Sequence, residues 1–214
     1  MRRIALHTVM MLSMPALMAW AGGGASFARR PVGFSVLLLW VVWSFALALG
    51  RSTGQESQYE RRQRPFLMIP GILLLSTLFA APWEYRRFAG PIPRDGAVAW
   101  VGVLLLAGGA TLQITSVLAF GRFYTRNLGI QPGHRLVTSG PYAIVRHPGY
   151  LSSFMLFLGT GLALSSVLGL LAAALTLPVT IYRIQGEENM LVDAFGDEYR
   201  RYAARTKRLF PLTY

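Results

Sequence analysis

The chain has 214 residues, of which 53% are hydrophobic and only 14% charged, and its mean hydropathy of +0.42 points away from a soluble fold. Its net charge of +12, from 21 Lys and Arg against 9 Asp and Glu, would suit nucleic acid in a soluble protein. Here the basic residues, all but Lys207 arginine, flank apolar runs, so an inside-positive bias and anionic headgroups account for the charge and no nucleic-acid partner is expected.

The absence of cysteine leaves no disulfide, no thiol nucleophile and no Cys-ligated metal. The apolar residues come in blocks of membrane length without alternation, and lipid offers the backbone no partners. Helices are therefore expected and a closed barrel is not. The sequence predicts an all-α integral membrane protein of about six transmembrane helices, a single membrane domain over 1–214. Four spans fall within 1–121, and a loop, a helical hairpin and a tail helix within 122–214.

Ile4 to Trp20, after Met1-Arg2-Arg3, is expected to be a first membrane helix, with Pro15 a point of kinking. A secretory signal has the same plan of charged start, apolar run and small residues. Val32 to Gly50 makes a second span, and Arg51 to Pro65 a polar, basic loop. Phe66 to Trp83 makes a third, expected to be broken by Pro70-Gly71, followed by a turn-rich link from Glu84 to Gly96. Ala97 to Gly121 is a fourth, in which Gly102, Gly108 and Gly109 predict close contact with a neighbouring helix.

Gly133 to Tyr150 is a polar segment punctuated by Gly133, Gly140, Gly149, Pro141 and Pro148, and is expected to be a shaped loop. Leu151 to Arg183 is apolar for longer than one crossing needs. Ser165-Ser166 and Gly169 near its middle predict a tight hairpin of a fifth and a sixth span. Beyond it, Leu191, Phe195, Tyr199 and Tyr202 recur at helical spacing in a charged stretch, predicting an amphipathic tail helix from Glu187 onward that lies on the membrane face or folds over the loop. Gly196 falls inside that pattern as a point of interruption. With six spans, the side that receives both termini also receives most of the Lys and Arg, which predicts cytoplasmic termini and a cytoplasmic loop.

The loop and the tail bring His134, Arg135, Tyr142, Arg146, His147, Tyr150, Arg183, Glu187 and Glu188 to one face. Arg183 and Glu187, four apart on a helix, can hold the two ends of a zwitterion or form an ordinary ion pair. His134 and His147 lie thirteen apart with no H-x-x-x-H spacing, so no metal site is expected. No G-x-S-x-G, G-x-G-x-x-G or Walker sequence is present, which leaves the usual hydrolase and nucleotide folds without support. Polar residues within spans, as a transporter would need, are few: Gln113, Thr115 and Thr176.

Two motifs carry a resemblance. His134-x-Leu136-Val137-Thr-Ser-Gly-Pro-Tyr142 leads to Arg146-His147-Pro148-x-Tyr150, and Arg183-x-x-x-Glu187-Glu188 leads to Phe195-Gly196-x-Glu198-Tyr199-x-x-Tyr202 and then Pro211. In order and spacing the chain from His134 to Pro211 resembles the isoprenylcysteine carboxyl methyltransferase family and, more broadly, phospholipid methyltransferase-like membrane enzymes. The first hundred or so residues match only as generic membrane helices.

The resemblance implies S-adenosyl-L-methionine at the cytoplasmic face and a lipophilic acceptor entering from the bilayer. It implies that His134, Arg135, Leu136, Val137, Tyr142, His147, Pro148, Gly149 and Tyr150 surround the cofactor and that Glu187 takes its amino group. Asn127 stands where relatives carry a glutamine and is expected to join them. Arg183, with Arg146, would meet the acceptor, and Glu188 or Tyr150 would serve as base for an amine. The acceptor is expected to be a prenylated cysteine carboxylate, with a phospholipid amine or a small lipophilic thiol or acid as alternatives. Sterol-reductase-like enzymes, which use NADPH, share the Arg-His-Pro-x-Tyr loop, but Glu187-Glu188 and Phe195-Gly196 favour the methyl donor. Ser152 stands where relatives often have glycine, which puts helix packing or acceptor shape at issue.

Overall fold

The computed structural model describes residues 13–48, 68–88, 90–124 and 133–211. Asn127, the start of the first predicted span and the basic loop after the second lie outside the described residues. All regular elements among those described are helical, apart from one isolated bridge between Val145 and Lys207. Residues 13–22 are helical, with Pro15 among them, and the short helix Ala25–Ala28 leads into α1, Pro31–Ala48. The following helices are α2, Met68–Arg87; α3, Ala97–Phe120; α4, Pro148–Ala163; α5, Val167–Phe195; and α6, Asp197–Arg205.

By length and composition α1, α3 and α5 can each cross a bilayer. The helix α4, at 16 residues, is shorter than the roughly 20 that a full crossing takes. Helices α3 and α4 pack along most of their lengths, α1 lies against α3, and α5 lies against both α4 and α2.

The α3–α4 seam explains the glycines of α3. A Cβ added at Gly102 would collide with the Ala163 backbone nitrogen and come within 2.7 Å of the Gly159 carbonyl oxygen, and one at Gly159 would meet the Gly102 carbonyl oxygen at 2.7 Å. Only two bare backbones approach so closely, and in lipid such packing is what joins helices, because the surroundings are as apolar as the side chains. Indole hydrogen bonds tie α1 to α4: Trp40 Nε1 donates to Thr160 Oγ1 at 3.0 Å and Trp43 Nε1 to Ser152 Oγ at 3.2 Å. Ser152 in turn donates to the Gly109 carbonyl at 2.8 Å and is fully buried. The serine therefore fits the seam and links three helices through it.

Two boundaries differ from the sequence expectation. Pro70-Gly71 does not break α2, because it lies in the first turn, where a missing N–H costs no intrahelical bond. More consequentially, the sixth predicted span does not end at Arg183. Helix α5 runs on through the charged residues for 29 residues, about 43 Å at 1.5 Å per residue, and so outruns a hydrocarbon core of about 30 Å. Its break comes at Gly196, with φ at +53°, a left-handed conformation that glycine adopts without a Cβ penalty. The hairpin turn stands where Ser165-Ser166 placed it. Ser166 caps α5 by accepting from the Gly169 N–H at 2.8 Å, and Glu84 of α2 accepts from the Ser166 hydroxyl and the Leu168 N–H.

Candidate functional site

The loop between α3 and α4 is shaped by local rules. Gly140, at φ +60°, opens a 3-10 turn over Gly140–Ala143 with Pro141 at its start, and Pro148 occupies the first turn of α4, where its lost donor is harmless. The chain after α6 then lies alongside the loop. The Arg146 N–H donates to the Lys207 carbonyl at 2.7 Å, the His147 N–H to the Arg208 carbonyl at 3.1 Å, and the Lys207 N–H to the Ile144 carbonyl at 3.3 Å. Helix α6 folds over the loop, as one of the two sequence readings had it, burying Tyr199 and Tyr202 while Arg200, Arg201 and Arg205 face outward.

Between the loop, α3 and the C-terminal part of α5 lies a cavity. Its polar rim includes His134, Tyr142, His147, Tyr150, Arg183 and Glu187, and its apolar wall includes Leu47, Phe120, Leu136, Val137, Met190 and Leu191. Pro148, Gly149 and Arg146 also line it, whereas Arg135, which is exposed, and Glu188 do not.

His134 sits in an aromatic cage, stacked on Phe123 with ring centroids 4.9 Å apart and edge-on to Phe120 and Phe195. Burial holds its pKa below the usual value, because the charged imidazolium loses hydration. Its Nδ1 is buried with no hydrogen-bond partner among the described residues, and a buried ring nitrogen is costly to leave unpaired. Burial likewise pushes the Tyr142 and Tyr199 phenols up and Tyr202 up to about 12, so all three are protonated at physiological pH.

The consecutive carboxylates of α5 point in different directions, as residues 100° apart on a helix must. Glu187 reaches the cavity. Glu188 is buried and accepts from Arg146 Nε at 2.7 Å and from Arg208 Nε at 2.8 Å. The Arg146 guanidinium also donates to the carbonyls of Ala203, at 2.9 Å, and Thr206, which places it over the last turn of α6. His147, 4% exposed, stands between the two carboxylates, with Nδ1 3.7 Å from Glu187 and Nε2 3.4 Å from Glu188. Arg183 Nε donates to the Tyr150 hydroxyl at 3.3 Å, and Tyr150 lies beside Glu187 and the His147 ring.

Tyr124, Ser153 and Met190 also line the cavity and the Thr206–Arg208 segment clamps the loop, although none of them stands out in the sequence motifs. Gln113, a weak candidate for a transport path, faces the cavity instead, its Nε2 donating to the Tyr124 hydroxyl at 2.7 Å. An amide within an apolar run is the signal that the sequence carries for it. Among the described residues no three His, Cys, Asp or Glu side chains gather as a metal-ligating group.

Comparison with known proteins gives these residues relatives. Residues 97–198, just under half of the chain, match the model of the phospholipid methyltransferase family. A probable protein-S-isoprenylcysteine O-methyltransferase of Oryza sativa subsp. indica is 32% identical over 117 residues, which are 53% of this chain and 61% of the relative. The protein-S-isoprenylcysteine O-methyltransferase of Schizosaccharomyces pombe is 41% identical over 80 residues, 37% of this chain and 34% of that one. The chain thus spans less than two thirds of the length of these relatives. A solved structure, the eukaryotic intramembrane Ras methyltransferase known as isoprenylcysteine carboxyl methyltransferase, aligns with a TM-score of 0.57 at 20% identity, covering 92% of this chain and 74% of that one. The fold is therefore of that type, and the resemblance carried by the C-terminal motifs stands in both sequence and structure.

Proposed function

We propose, starting from the phospholipid methyltransferase match over residues 97–198, that the chain is a membrane methyltransferase that takes its methyl group from S-adenosyl-L-methionine and passes it to a lipophilic acceptor. In this reading 1–214 is one multi-pass membrane domain of about six spans, with both termini and the cavity on the cytoplasmic side. The observation that carries the reading is the shared cavity of Glu187, Arg183, Tyr150 and the His134 cage.

The residues present fit such a cofactor. The Nδ1 of His134, without a partner among the described residues, lies within a phenyl cage and suits a heteroaromatic base with ring nitrogens, with Leu136, Val137 and Tyr142 lining the same cavity. The carboxylate of Glu187 offers a counter-charge to an amino group, with His147, Pro148 and Gly149 beside it. When bound, S-adenosyl-L-methionine supplies an electrophilic methyl group on a sulfonium.

The protein's own task is alignment and exclusion of water. The apolar wall keeps the site dry, and the Arg183 guanidinium, joined to the Tyr150 hydroxyl, can orient an anionic oxygen or sulfur at the membrane side. An anionic acceptor already carries its lone pair, so no side chain has to remove a proton. A protonated amine would be repelled by Arg183. This favours an acid such as a prenylated cysteine carboxylate, or a thiolate, over a phospholipid amine, although the matched family model is named for phospholipids. Glu188, engaged by Arg146 and Arg208, holds the loop and does not serve as a base. Arg146, whose guanidinium is committed to Glu188 and two carbonyls, likewise belongs to the frame.

The test is transfer of radiolabel from methyl-labelled S-adenosyl-L-methionine by the purified chain in lipid. A farnesylated cysteine acid, a phosphatidylethanolamine and a lipophilic thiol are offered in parallel. Label in the acid or the thiol, lost in Arg183→Ala, supports the reading. Label in the amine alone, unaffected by Arg183→Ala, overturns the assignment of acceptor class.

A further inference from the structure

The segment after α6 lies beyond the part of the chain that matches the family model, which ends at residue 198, yet it supplies a cation to the buried carboxylate behind the site. Arg208 Nε donates to Glu188 Oε2 at 2.8 Å while Arg146 Nε holds Oε1 at 2.7 Å, so the two guanidiniums fix the carboxylate from either side. The fixed Oε1 lies 3.4 Å from His147 Nε2, and the opposite ring nitrogen lies 3.7 Å from Glu187 Oε2. The His147 ring is buried and its backbone N–H is bonded to the Arg208 carbonyl, so the same residue anchors the imidazole through main chain and side chain.

We infer that Arg208 is a positioning residue for the cofactor site. It acts through Glu188 and His147 to set the direction in which Glu187 meets the cavity. Glu187 itself is half-buried and stands at the cavity edge, where a long, flexible carboxylate gains from being held. A carboxylate fixed before binding loses less rotamer freedom when an ammonium arrives, so pre-setting it raises affinity for an amino-bearing ligand alone. The inference rests on the proposal that Glu187 receives the amino group of S-adenosyl-L-methionine.

The test compares two probes on the full chain in lipid nanodiscs: S-adenosylhomocysteine, which carries the amino acid group, and 5′-methylthioadenosine, which lacks it. In Arg208→Gln, the first should bind about tenfold more weakly while the second is unchanged, and Arg208→Lys should restore most of the difference. An equal loss for both probes means that Arg208 only supports the fold, and no loss for either means that Glu187 needs no such support; each overturns the inference. If wild type binds neither probe, the cofactor reading fails first, and this outcome is distinct from wild-type binding that is indifferent to Arg208. Should Arg208→Gln not yield folded protein, Glu188→Gln read with the same two probes carries the same expectation.

Discussion

Tyr202 donates its hydroxyl to the main-chain carbonyl of Tyr142 at 2.7 Å, a buried bond that fastens the tail helix to the cavity loop across 60 residues of sequence. Tyr202→Phe keeps the ring and removes the donor, leaving a buried carbonyl unpaired. We expect a loss of about 1–3 kcal/mol in stability, measured by thermal unfolding in detergent. An unchanged melting temperature would mean that the tail is not held by this bond.

The α3–α4 seam makes a second prediction. Gly102→Ala forces a methyl against the Ala163 and Gly159 backbones and should cost about 1–3 kcal/mol. Gly71→Ala in α2 meets nothing within 4 Å and should cost nothing, or stabilise slightly. Unfolding of the two variants side by side separates close packing from a general intolerance of larger residues.

Arg146 distinguishes a frame role from contact with substrate. Removing its guanidinium strips the buried Glu188 of one of its two arginine partners and frees two carbonyls. Arg146→Ala should therefore destabilise by about 3 kcal/mol. Full stability with impaired activity would instead put Arg146 at the acceptor.

Stability should also respond to pH through His134. Burial lowers its folded pKa below the ordinary 6.5, so the unfolded chain binds the proton more readily. The neutral imidazole's contribution is complete above 6.5 and is lost as pH falls through the depressed folded value. Wild type should lose more stability between pH 7.5 and 5.5 than His134→Phe, in which that position does not titrate. Parallel losses in the two melts would show that the cage does not disfavour the charged ring.

Much of this was legible in the chain. Ser165-Ser166 marked the hairpin because a polar pair in the middle of an apolar run has few other uses, and Gly102 and Gly109 marked a seam because only bare backbone allows such an approach. The end of α5 was not legible. Hydropathy falls at Arg183, but helical hydrogen bonding does not depend on hydropathy and continues to Gly196. Glu187 and Glu188 read alike as letters, and which of them faces the cavity is decided by what packs behind the helix, here Arg146 and Arg208. The pairing of Lys207 with Ile144 and Arg146 is made by main-chain groups that every residue carries, so no side-chain pattern announces it.

In the proposed function, Glu187 and the His134 cage form one pocket for the methyl donor. Isothermal titration of the purified protein with S-adenosylhomocysteine, beside Glu187→Ala, tests it most directly. We predict micromolar-range binding by wild type and its loss in the variant; no binding by either protein, or equal binding by both, would contradict it.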